Sequence, residues 1–398
     1  MSNQTNKVLQ KKLKKLFLMF IERIISKEDP AEVSRANYKE INRFQGEWNA
    51  FVMEHSKKEL IEEHLLKPLA GVDEFCNQLE SLIDVDPCVV KCAVFRNDYF
   101  ETKDGDTMKM VEYNNISVSL IAVATQTCKD KGGEPNSPLT GLLDLFKEAC
   151  TSHREYYGLE VELRILMIVT DKDEAEGNVD QELICSALAD TGIQVSRMTL
   201  KKAKDGLTLR NGYLYYKDTI VNLVYLRAGY TMMSPEEFEG RKMIEESIAC
   251  KVNNANVQLF GMKYMQYKLC TLPDTPVGYK SLQVRMKPAE AYNEEEDSHV
   301  DWILKSNKEG GGSCIFDDIT GELRRMNDKK GWLLMERINV KVQSNNTHEI
   351  GIYGGILTVN DQVKSNKTMG YLVRTKAKTV NESGVNAGYA KVNSLILK

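Results

Sequence analysis

The spacing of apolar residues separates a first part with helical periodicity from a longer part with strand-like runs. Apolar residues from Leu9 to Ile24 recur near the spacing of one helix face and predict an amphipathic helix over residues 7–28. Its first half is basic, which is compatible with a membrane surface but more typical of a solvated face on a packed helix. The helical pattern continues over residues 36–84 with a break near Lys67-Pro68, so residues 1–85 are predicted to be mainly helical.

Strand-like runs begin at Cys88. The runs VVKCAVF (89–95) and MKMVEYNNISVSLIAV (108–123) predict two strands with a turn at Asp104-Gly105-Asp106 between them. A helix is predicted over residues 137–156, where apolar residues return to helical spacing. The first strands are therefore expected to follow the helical part directly.

A βαβ unit is predicted next, from the strands VELRILMIV and IQVSRMTL and a helix over residues 179–190 between them. The run GYLYYKDTIVNLVYLR predicts a hairpin that turns near Lys217-Asp218. The segment Ser234-Pro235-Glu236-Glu237 predicts a capped helix start, and that helix is expected to continue to about Cys250. From Trp302 onward strands and turns alternate with only brief helix, so the pattern predicts an α/β protein.

Composition excludes several classes of protein. The chain has 398 residues, of which 42% are hydrophobic and 28% charged, and a net charge of −4, so no basic excess indicates nucleic acid. No apolar run approaches the ~20 residues of a membrane span. Nine scattered cysteines without a CxxC pair favour reduced thiols, and five histidines without a zinc motif argue against zinc. The apolar run Leu16–Ile21 is too short for a signal peptide, so a cytoplasmic protein is expected, unless a leader has been removed from a secreted one.

One stretch, WILKSNKEGGGSCIF from Trp302 to Phe316, carries candidate phosphate-binding chemistry. A strand with Lys305 leads into a loop with Glu309 and three glycines, Gly310, Gly311 and Gly312. Glycines allow the backbone N–H groups to approach an anion, and a lysine adds a positive charge for phosphate. A flexible surface turn is the simpler interpretation of three glycines alone, and no Gly-Lys-Ser/Thr follows as in a P-loop.

Oxygen donors elsewhere in the chain complete a candidate magnesium site. Glu112 and Asn114 alternate with Val111 and Tyr113, so their side chains share one face of a strand. With Glu309 they supply two carboxylates and an amide oxygen, which suit Mg²⁺. Further positive charges stand along the chain: Lys263, Lys305 and Lys376 for phosphate groups, and Arg374 for a developing oxyanion. The alternative for each is an ordinary solvated side chain.

The order of several short motifs resembles the eukaryotic-type glutathione synthetases of the ATP-grasp superfamily. The matching segments are FRNDYF (95–100), KMVEYNNISVS (109–119), EGNVDQ (176–181), LVYLRAGY (223–230), FGMKYMQ (260–266), ILKSNKEGGG (303–312), LLMERI (333–338), EIGIYG (349–354), LVRTKA (372–377) and SGVNAG (383–388). The resemblance covers the chain from about residue 86 onward. It implies an ATP-grasp α/β fold and a reaction in which ATP phosphorylates the carboxylate of γ-glutamylcysteine and the amine of glycine displaces the phosphate.

The resemblance also implies roles for individual residues. The Mg²⁺ ligands, for one or two ions, are Glu112, Asn114 and Glu309. The ATP-binding residues are Glu112, Lys263, Lys305, Glu309, Gly310, Gly311, Gly312, Met335, Glu336, Arg337, Ile338, Glu349, Lys376 and Glu382. Among them, the strand from Met335 to Ile338 is expected to bind adenine through its backbone, and Glu349 is expected to hold the ribose. The residues that bind the peptide and its amino-acid acceptor are Arg96, Ile116, Ser117, Val118, Ser119, Glu176, Asn178, Gln181, Arg227, Tyr230, Arg374, Val385 and Asn386, and the catalytic residues are Arg374, Lys305 and Lys263.

Within this resemblance some positions differ from the family pattern. Ala228 replaces an acid, Cys314 replaces an asparagine, and Asn386 replaces the alanine of glutathione-forming members. The segment before EGNVDQ is one residue shorter than the family spacing, which affects the match of Glu176. Such changes resemble those in the divergent glutathione synthetase-like proteins of plant-parasitic nematodes. They leave the amino-acid acceptor open.

The expected organisation is a helical part over residues 1–85, an ATP-grasp core with its lid over 86–160 and 266–398, and an inserted α/β substrate-binding domain over 161–265. The expected function is a C–N ligase that uses ATP, a γ-glutamylcysteine-like peptide and an amino acid. A descendant that binds nucleotide or peptide without turnover, and acts through partners, is the alternative. The family resemblance also implies a homodimer, with no nucleic acid and no membrane among its partners.

Overall fold

The computed structural model describes residues 23–307, 315–316, 319–380 and 382–398. The predicted helix at 7–28 lies outside the described residues up to residue 22, and so do Glu309, Gly310 to Gly312 and Cys314. In the described part of the chain, no helix has both the length and the apolar character needed to cross a membrane.

Strands and helices alternate along the whole described chain. The strands are β1 Ala31–Val33, β2 Val90–Glu101, β3 Met108–Asn114, β4 Arg164–Val169, β5 Gln194–Thr199, β6 Leu207–Arg210, β7 Tyr213–Tyr216, β8 Thr219–Ile220, β9 Leu223–Leu226, β10 Cys250–Val252, β11 Met286–Pro288, β12 Trp302–Ser306, β13 Ile315–Phe316, β14 Trp332–Glu336, β15 Val342–Gln343, β16 Asn346–Val359, β17 Gln362–Ala377, β18 Lys391–Asn393 and β19 Leu395–Leu397. The α-helices are Arg35–His55, Lys58–Ile61, Lys67–Leu69, Glu74–Glu80, Ile121–Lys131, Pro138–Tyr156, Asp171–Glu176, Val179–Asp190, Leu200–Gly206, Pro235–Glu245, Ala255–Phe260, Lys263–Leu269, Val277–Leu282, Glu294–Asp297 and Ile319–Arg325, with a π-helical turn at Glu62–Leu66 and a 3₁₀ turn at Ala289–Ala291.

An antiparallel sheet in the order β18-β17-β16-β2-β3 forms the centre of the fold, with β15 paired to β16. One face packs on the helix Arg35–His55, where the ring of Trp48 lies 4.7 Å from that of Tyr113. The other face packs on the helix Pro138–Tyr156 through residues such as Val94 and Leu357. Strand side chains alternate between faces, so Arg96 and Asp98 continue the face of Val94 beyond the helix. Along β2, this face of the sheet thus changes from apolar side chains under the helix to charged side chains beyond it.

A parallel sheet in the order β10-β9-β4-β5 lies beside the central sheet, within the segment predicted as the substrate-binding domain. The helix Val179–Asp190 connects β4 to β5, as the sequence predicted. The chain then returns to the opposite side of β4, so the strand order reverses between β4 and β9. In open α/β sheets ligands bind beyond the carboxyl ends of the strands at such a reversal. In this chain, Thr170 follows β4 and Arg227 follows β9 at that position.

A third sheet, in the order β11-β14-β12-β13, is antiparallel and carries Lys305 on β12. Its own small core contains Trp302, Leu304 and Leu334 with Leu323 of the helix Ile319–Arg325. This core is separate from the two larger ones. The third sheet therefore packs as a unit of its own, and Lys305 and the strand β14 belong to that unit.

The predicted strand over residues 108–123 was too long. The strand β3 ends at Asn114, and a helix begins at Ile121 after Ser117 and Leu120 adopt φ values of 52° and 67°. The reason is a distant cap: the carboxylate of Asp180 accepts hydrogen bonds from three backbone N–H groups at the helix start, those of Leu120, Ala122 and Val123.

Two other predicted elements also differ in extent. The helix that begins at Pro235 ends at Glu245 rather than at Cys250, which starts β10. The predicted hairpin forms only in part: β7 and β8 pair around Lys217-Asp218, whereas Leu223–Leu226 leaves them and pairs in parallel with β4. The capped start predicted at Ser234 is present, because its hydroxyl and the carboxylate of Glu237 each accept the other residue's backbone N–H.

Candidate active site

Asp98 lies at the centre of the charged face of the main sheet and is completely buried. Its Oδ1 accepts a hydrogen bond from Nε of Arg96 at 2.7 Å, and its Oδ2 accepts one from Nη2 of Arg96 at 2.9 Å. Arg374 on β17 also donates from Nη2 to Oδ2, at 2.8 Å. Burial disfavours the charge of Asp98, but Arg96 and Arg374 outweigh it and hold the pKa of that carboxyl below its ordinary value.

The predicted metal ligands Glu112 and Asn114 lie on this same face. In the register of β2 and β3, Glu112 is opposite Asp98 and Asn114 is opposite Arg96. The amide nitrogen of Asn114 donates to Oδ2 of Asp98 at 2.9 Å and to the carbonyl oxygen of Arg96 at 3.2 Å. Both amide hydrogens are therefore occupied, and Oδ1 of Asn114 is left as an acceptor.

The donor set fits Mg²⁺ as far as it is described. A carboxylate and an oriented amide oxygen side by side are the hard oxygen ligands that this ion prefers. Within the described ranges no group of three or more His, Cys, Asp or Glu side chains is arranged for a metal. The third predicted ligand, Glu309, lies outside those ranges.

Lys305 is buried and faces several other charged groups of the site. Its pKa is lowered to about 8, chiefly by burial; Glu112 and Glu349 oppose this effect, whereas Lys263 and Lys376 act in the same direction as burial. No hydrogen bond or ion pair of its ammonium group involves a described residue. The predicted phosphate lysines and the metal-binding acid Glu112 are thus close enough to act on one another.

Glu349 on β16 joins the site to the loop that follows β17. Arg374 donates to its Oε1, and the hydroxyl of Ser383 donates to its Oε2. Lys376 is buried, which lowers its pKa; Glu349 opposes this effect, and Glu382 in the same loop does so too. Glu349 therefore contacts both Arg374 and the loop, in addition to its predicted role at the ribose.

The strand β14, which is predicted to bind adenine through its backbone, belongs to the third sheet and ends at Glu336. The side chains of Arg285 and Glu336 form a two-bond ion pair, at 2.9 and 3.0 Å. The backbone N–H groups of Glu336 and Arg337 donate to the carbonyls of Arg285 and Asp301. The N–H of Ile338 has no such partner within the described residues, so it is open to an acceptor on a ligand.

Arg227 lies at the strand-order reversal, beyond the end of β9, and is buried. Its Nη1 lies 3.6 Å from Oδ2 of Asp180, and the hydroxyl of Ser117 donates to its carbonyl oxygen at 3.1 Å. Its Nε and Nη1 have no hydrogen-bond partner in the described part of the chain. A buried guanidinium with spare donors suits a carboxylate ligand.

Asn178 and Gln181 lie near Arg227, and both side chains contact the carboxylate of Asp173. Nδ2 of Asn178 donates to one oxygen of Asp173 at 3.0 Å, and Nε2 of Gln181 donates to the other at 2.8 Å. Arg197 donates to Oε1 of Gln181 at 3.0 Å. These polar groups are fixed by one another before any ligand binds, whereas Glu176 is exposed.

The other predicted peptide residues surround the same region with different exposure. The carbonyl of Ser119 accepts hydrogen bonds from Arg96 and from the hydroxyl of Tyr353, at 3.4 and 2.8 Å. Buried side chains are Ile116, Val118 and Val385; Tyr230 is half-buried and Asn386 is exposed.

Three acids of this region were missed by the sequence analysis: Asp98, Asp173 and Asp180. Asp98 stands two residues after Arg96, and that spacing on a strand indicates a same-face ion pair, so the signal was present. Asp180 had no local signal, because the N–H groups that it caps lie about 60 residues earlier in the chain. The partners of Asp173, Asn178 and Gln181, follow five and eight residues later, so a local signal was present there.

Comparison with known proteins identifies the family to which this chain is similar. The family model "Eukaryotic glutathione synthase, ATP binding domain" matches residues 167–397. A glutathione synthetase of Xenopus laevis is 25% identical over 420 residues, covering 92% of this chain and 88% of that protein. The human glutathione synthetase is 26% identical, with 92% and 88% covered.

A solved structure shows the same fold. It is a glutathione synthetase-like effector from Globodera pallida in its apo form, with a TM-score of 0.70 at 16% identity, covering 100% of this chain and 98% of that one. The expected ATP-grasp α/β fold is confirmed. The order of short motifs had indicated the right relatives, and the chain belongs to the eukaryotic glutathione synthetase family of ATP-dependent ligases.

Proposed function

We propose that this chain is an ATP- and Mg²⁺-dependent ligase that joins γ-glutamylcysteine, or a related γ-glutamyl peptide, to glycine or another amino acid. The observation that carries the proposal is the face of the main sheet shared by Glu112, Asn114 and Arg374, together with the buried Lys305 of the third sheet, on whose ammonium group Glu112 acts. Phosphoryl transfer requires this kind of positioning and charge neutralisation more than covalent catalysis.

The peptide end of the reaction is assigned to the strand-order reversal. The spare donors of Arg227 bind a carboxylate of the peptide, and the Asn178–Asp173–Gln181 cluster borders the same pocket. Arg96 and Arg374 lie on the main sheet, and the reacting carboxylate is expected beside them. The peptide then spans the two sheets, with its reacting end beside the phosphate lysines.

The reaction balances in two steps. An oxygen of the peptide carboxylate attacks the terminal phosphorus of ATP, and ADP leaves to give an acyl phosphate. The amine of the acceptor attacks the acyl carbon, phosphate leaves, and the amine loses a proton. Lys305, Lys376 and Lys263 neutralise the phosphate groups, and Arg374 stabilises charge at the acyl centre. Mg²⁺, when bound by Glu112, Asn114 and Glu309, would offset charge on the phosphate oxygens.

The remaining predicted residues hold the nucleotide and exclude water. Met335 to Ile338 contact adenine, Glu349 and Glu382 lie near the ribose and phosphates, and Gly310 to Gly312 cover the phosphates. Val385 and Asn386 belong to the loop over the acceptor. An acyl phosphate hydrolyses in open water, so a covering loop is required. The homodimer implied by the family stays a prediction, which sedimentation would check.

The test is ADP release measured with a panel of γ-glutamyl dipeptides and amino-acid acceptors, with the ligated product identified by mass spectrometry. The proposal expects ADP release that depends on both a dipeptide and an acceptor. Binding of nucleotide and dipeptide by calorimetry without any product would favour the non-catalytic alternative.

Two variants sharpen this test. Glu309→Ala is expected to abolish ATP turnover and keep the fold, because it removes a ligand carboxylate. Glu295→Ala removes an exposed acid from the helix Glu294–Asp297 and is the matched control. Parent-rate turnover in Glu309→Ala, with dipeptide present, means the metal assignment is wrong.

A further inference from the structure

One buried carboxylate holds three functional side chains of this site at once. Asp98 accepts two hydrogen bonds from Arg96, one from Arg374 and one from Asn114, at 2.7 to 2.9 Å. These partners come from three strands, β2, β17 and β3. Asp98 itself is completely buried, so no part of it is available to bind a ligand directly.

The two arginines depend on this carboxylate for charge balance. Arg96 and Arg374 are both buried, and they meet at Asp98, while Arg374 has Glu349 as its only other acidic partner among the described residues. Burial alone would lower the pKa of Arg96, and Asp98 reverses this effect. Without Asp98 two positive groups would face each other in a poorly solvated space, and both would move apart.

The orientation of Asn114 also depends on Asp98. A carboxylate and a backbone carbonyl only accept hydrogen bonds, so the end of the amide that faces Asp98 and the carbonyl of Arg96 must be the NH₂ group. The amide oxygen then points away from Asp98. With an uncharged group that can also donate at position 98, only the carbonyl of Arg96 would still hold the NH₂ group in this orientation.

The backbone around Asp98 leaves space for this arrangement. Gly351 lies opposite Asp98 on β16, and a Cβ atom there would stand 2.6 Å from Oδ1 of Asp98 and 2.9 Å from Cδ of Arg96. The two side chains therefore lie flat over the neighbouring strand, in a position that only glycine leaves open.

We propose that Asp98 is a positioning residue that sets the geometry of both halves of the reaction. It holds Arg96 and Arg374 at the carboxylate of the peptide, and it turns the amide oxygen of Asn114 toward the metal. The inference rests on the proposed function for the identity of these ligands. It adds that peptide binding and metal binding share one buried group and are lost together.

The test compares Asp98→Asn with Asp86→Asn. Asp86 is also buried and also neutralises two cations, Lys91 and Lys251, but it makes no hydrogen bond or ion pair with a site residue in the described part of the chain. The two substitutions remove the same charge from similar surroundings. They separate a general loss of stability from a loss of site geometry.

Three quantities are measured for each variant: Mn²⁺ affinity by electron paramagnetic resonance with a non-hydrolysable ATP analogue, dipeptide affinity by calorimetry, and the melting temperature. For Asp98→Asn, Mn²⁺ and dipeptide affinity should each fall by about 10–100-fold, the usual effect of losing a group that orients a ligand. Asp86→Asn should lower the melting temperature and leave both affinities within about twofold, a difference of under 0.5 kcal/mol.

A double variant covers the case in which Asp98→Asn does not fold. Asp98→Asn with Arg374→Gln removes one charge of each sign, so the cluster stays balanced while Asn114 still lacks its carboxylate. Mn²⁺ affinity should remain reduced in this protein. Parent-level Mn²⁺ affinity in a folded Asp98 variant, or equal losses in Asp98→Asn and Asp86→Asn, overturns the proposal.

Failure of the proposed function gives a different result. A parent protein that binds nucleotide, Mn²⁺ and dipeptide without forming product contradicts the ligase assignment and leaves the binding comparison intact. A parent protein that binds neither Mn²⁺ nor dipeptide contradicts both.

Discussion

Ser383 donates a hydrogen bond from its hydroxyl to Oε2 of Glu349, while Arg374 donates to Oε1 of the same carboxylate. Glu349 lies on β16, Arg374 on β17, and Ser383 in the loop after β17. The loop that carries Val385 and Asn386 is thus linked, through Glu349, to the arginine expected at the reaction centre. Its position depends on a hydrogen bond to a charged acceptor, which is stronger than a neutral one.

Removal of this contact should weaken acceptor binding. Ser383→Ala is expected to raise the KM for the amino-acid acceptor about tenfold, because a hydrogen bond to a charged group contributes about 1.5–3 kcal/mol. The KM for the dipeptide should change little, since its pocket is at the strand-order reversal. Steady-state kinetics with each substrate varied in turn measures the difference.

The control is Ser281→Ala, which removes a surface hydroxyl that, among the described residues, donates to the carbonyl of Gly278 alone. It should leave both KM values unchanged. Equal KM values for the acceptor in Ser383→Ala and the parent mean that the Ser383–Glu349 contact does not hold the loop for catalysis.

Lys305 should be essential for use of ATP. Its ammonium group is buried without a described partner, so it is available to a phosphate group. Lys305→Met keeps the length of the side chain and removes the charge, and turnover should fall by roughly 10²–10³-fold. Lys280→Met, at an exposed position on the helix Val277–Leu282, is the control and should turn over normally. Nucleotide binding and ADP release measured for both proteins decide whether Lys305 contacts phosphate.

Acid should destabilise the fold through His153. Its pKa is lowered to about 4 from 6.5, chiefly by burial; the hydrogen bond to the carbonyl of Ile248 opposes this effect, and Lys251 adds to it. Nε2 lies 2.8 Å from the carbonyl of Ile248 and donates to it, and Nδ1 faces the amide NH₂ of Asn222 at 3.3 Å. The Asn222 amide is fixed in that orientation, because its oxygen accepts the N–H of Arg164. A proton on Nδ1 would therefore face a donor.

The sign of this effect follows from the two pKa values. The unfolded chain takes up a proton at His153 below pH 6.5, whereas the folded chain does so only near pH 4. Stability from neutral His153 is complete above pH 6.5 and is lost as the pH falls toward 4, by about 2–3 kcal/mol. Urea unfolding at pH 7.5 and 4.5 should show a smaller loss in His153→Gln than in the parent. Equal losses in His153→Gln and in the exposed-residue control His299→Gln contradict the assignment.

Much of the fold was predictable wherever contacts between neighbours in sequence decide it. The capped helix start at Ser234 depends on Glu237, three residues away, and it forms as predicted. The face shared by Glu112 and Asn114 follows from strand alternation alone. These features depend on periodicity and capping, which are properties of short segments.

The features that were not predicted depend on distant partners. The helix at Ile121 begins where it does because Asp180 caps it from a distant part of the sequence, whereas the sequence around residue 121 is typical of a strand. The central position of Asp98 appears only when β17, β16, β2 and β3 are assembled into one sheet. Local propensity cannot encode which of many acids three separate strands will share.

The choice of acceptor should depend on Asn386. Val385 is buried and Asn386 is exposed, so the amide faces solvent in this conformation of the loop. When the loop closes over an acceptor, the amide either stays in water or enters the acceptor pocket. Inside the pocket, beside glycine, an unpaired amide would cost about 1–3 kcal/mol, a tenfold to hundredfold loss of rate if it falls on the transition state. An acceptor with a polar side chain would satisfy the amide and avoid that cost.

The hypothesis is therefore weak ligation of glycine, with serine preferred over alanine and β-alanine. Asn386→Ala should raise kcat/KM for glycine about tenfold or more and reduce the advantage of serine, because the amide no longer needs a partner. Asn77→Ala, at an exposed position on the helix Glu74–Glu80, removes an asparagine outside the loop and should change neither. The ratio of kcat/KM for serine to that for glycine is the decisive quantity, since loop stability affects both acceptors alike. If the ratio is the same in the parent and in Asn386→Ala, the amide stays in solvent throughout the reaction. Other residues then determine the choice of acceptor.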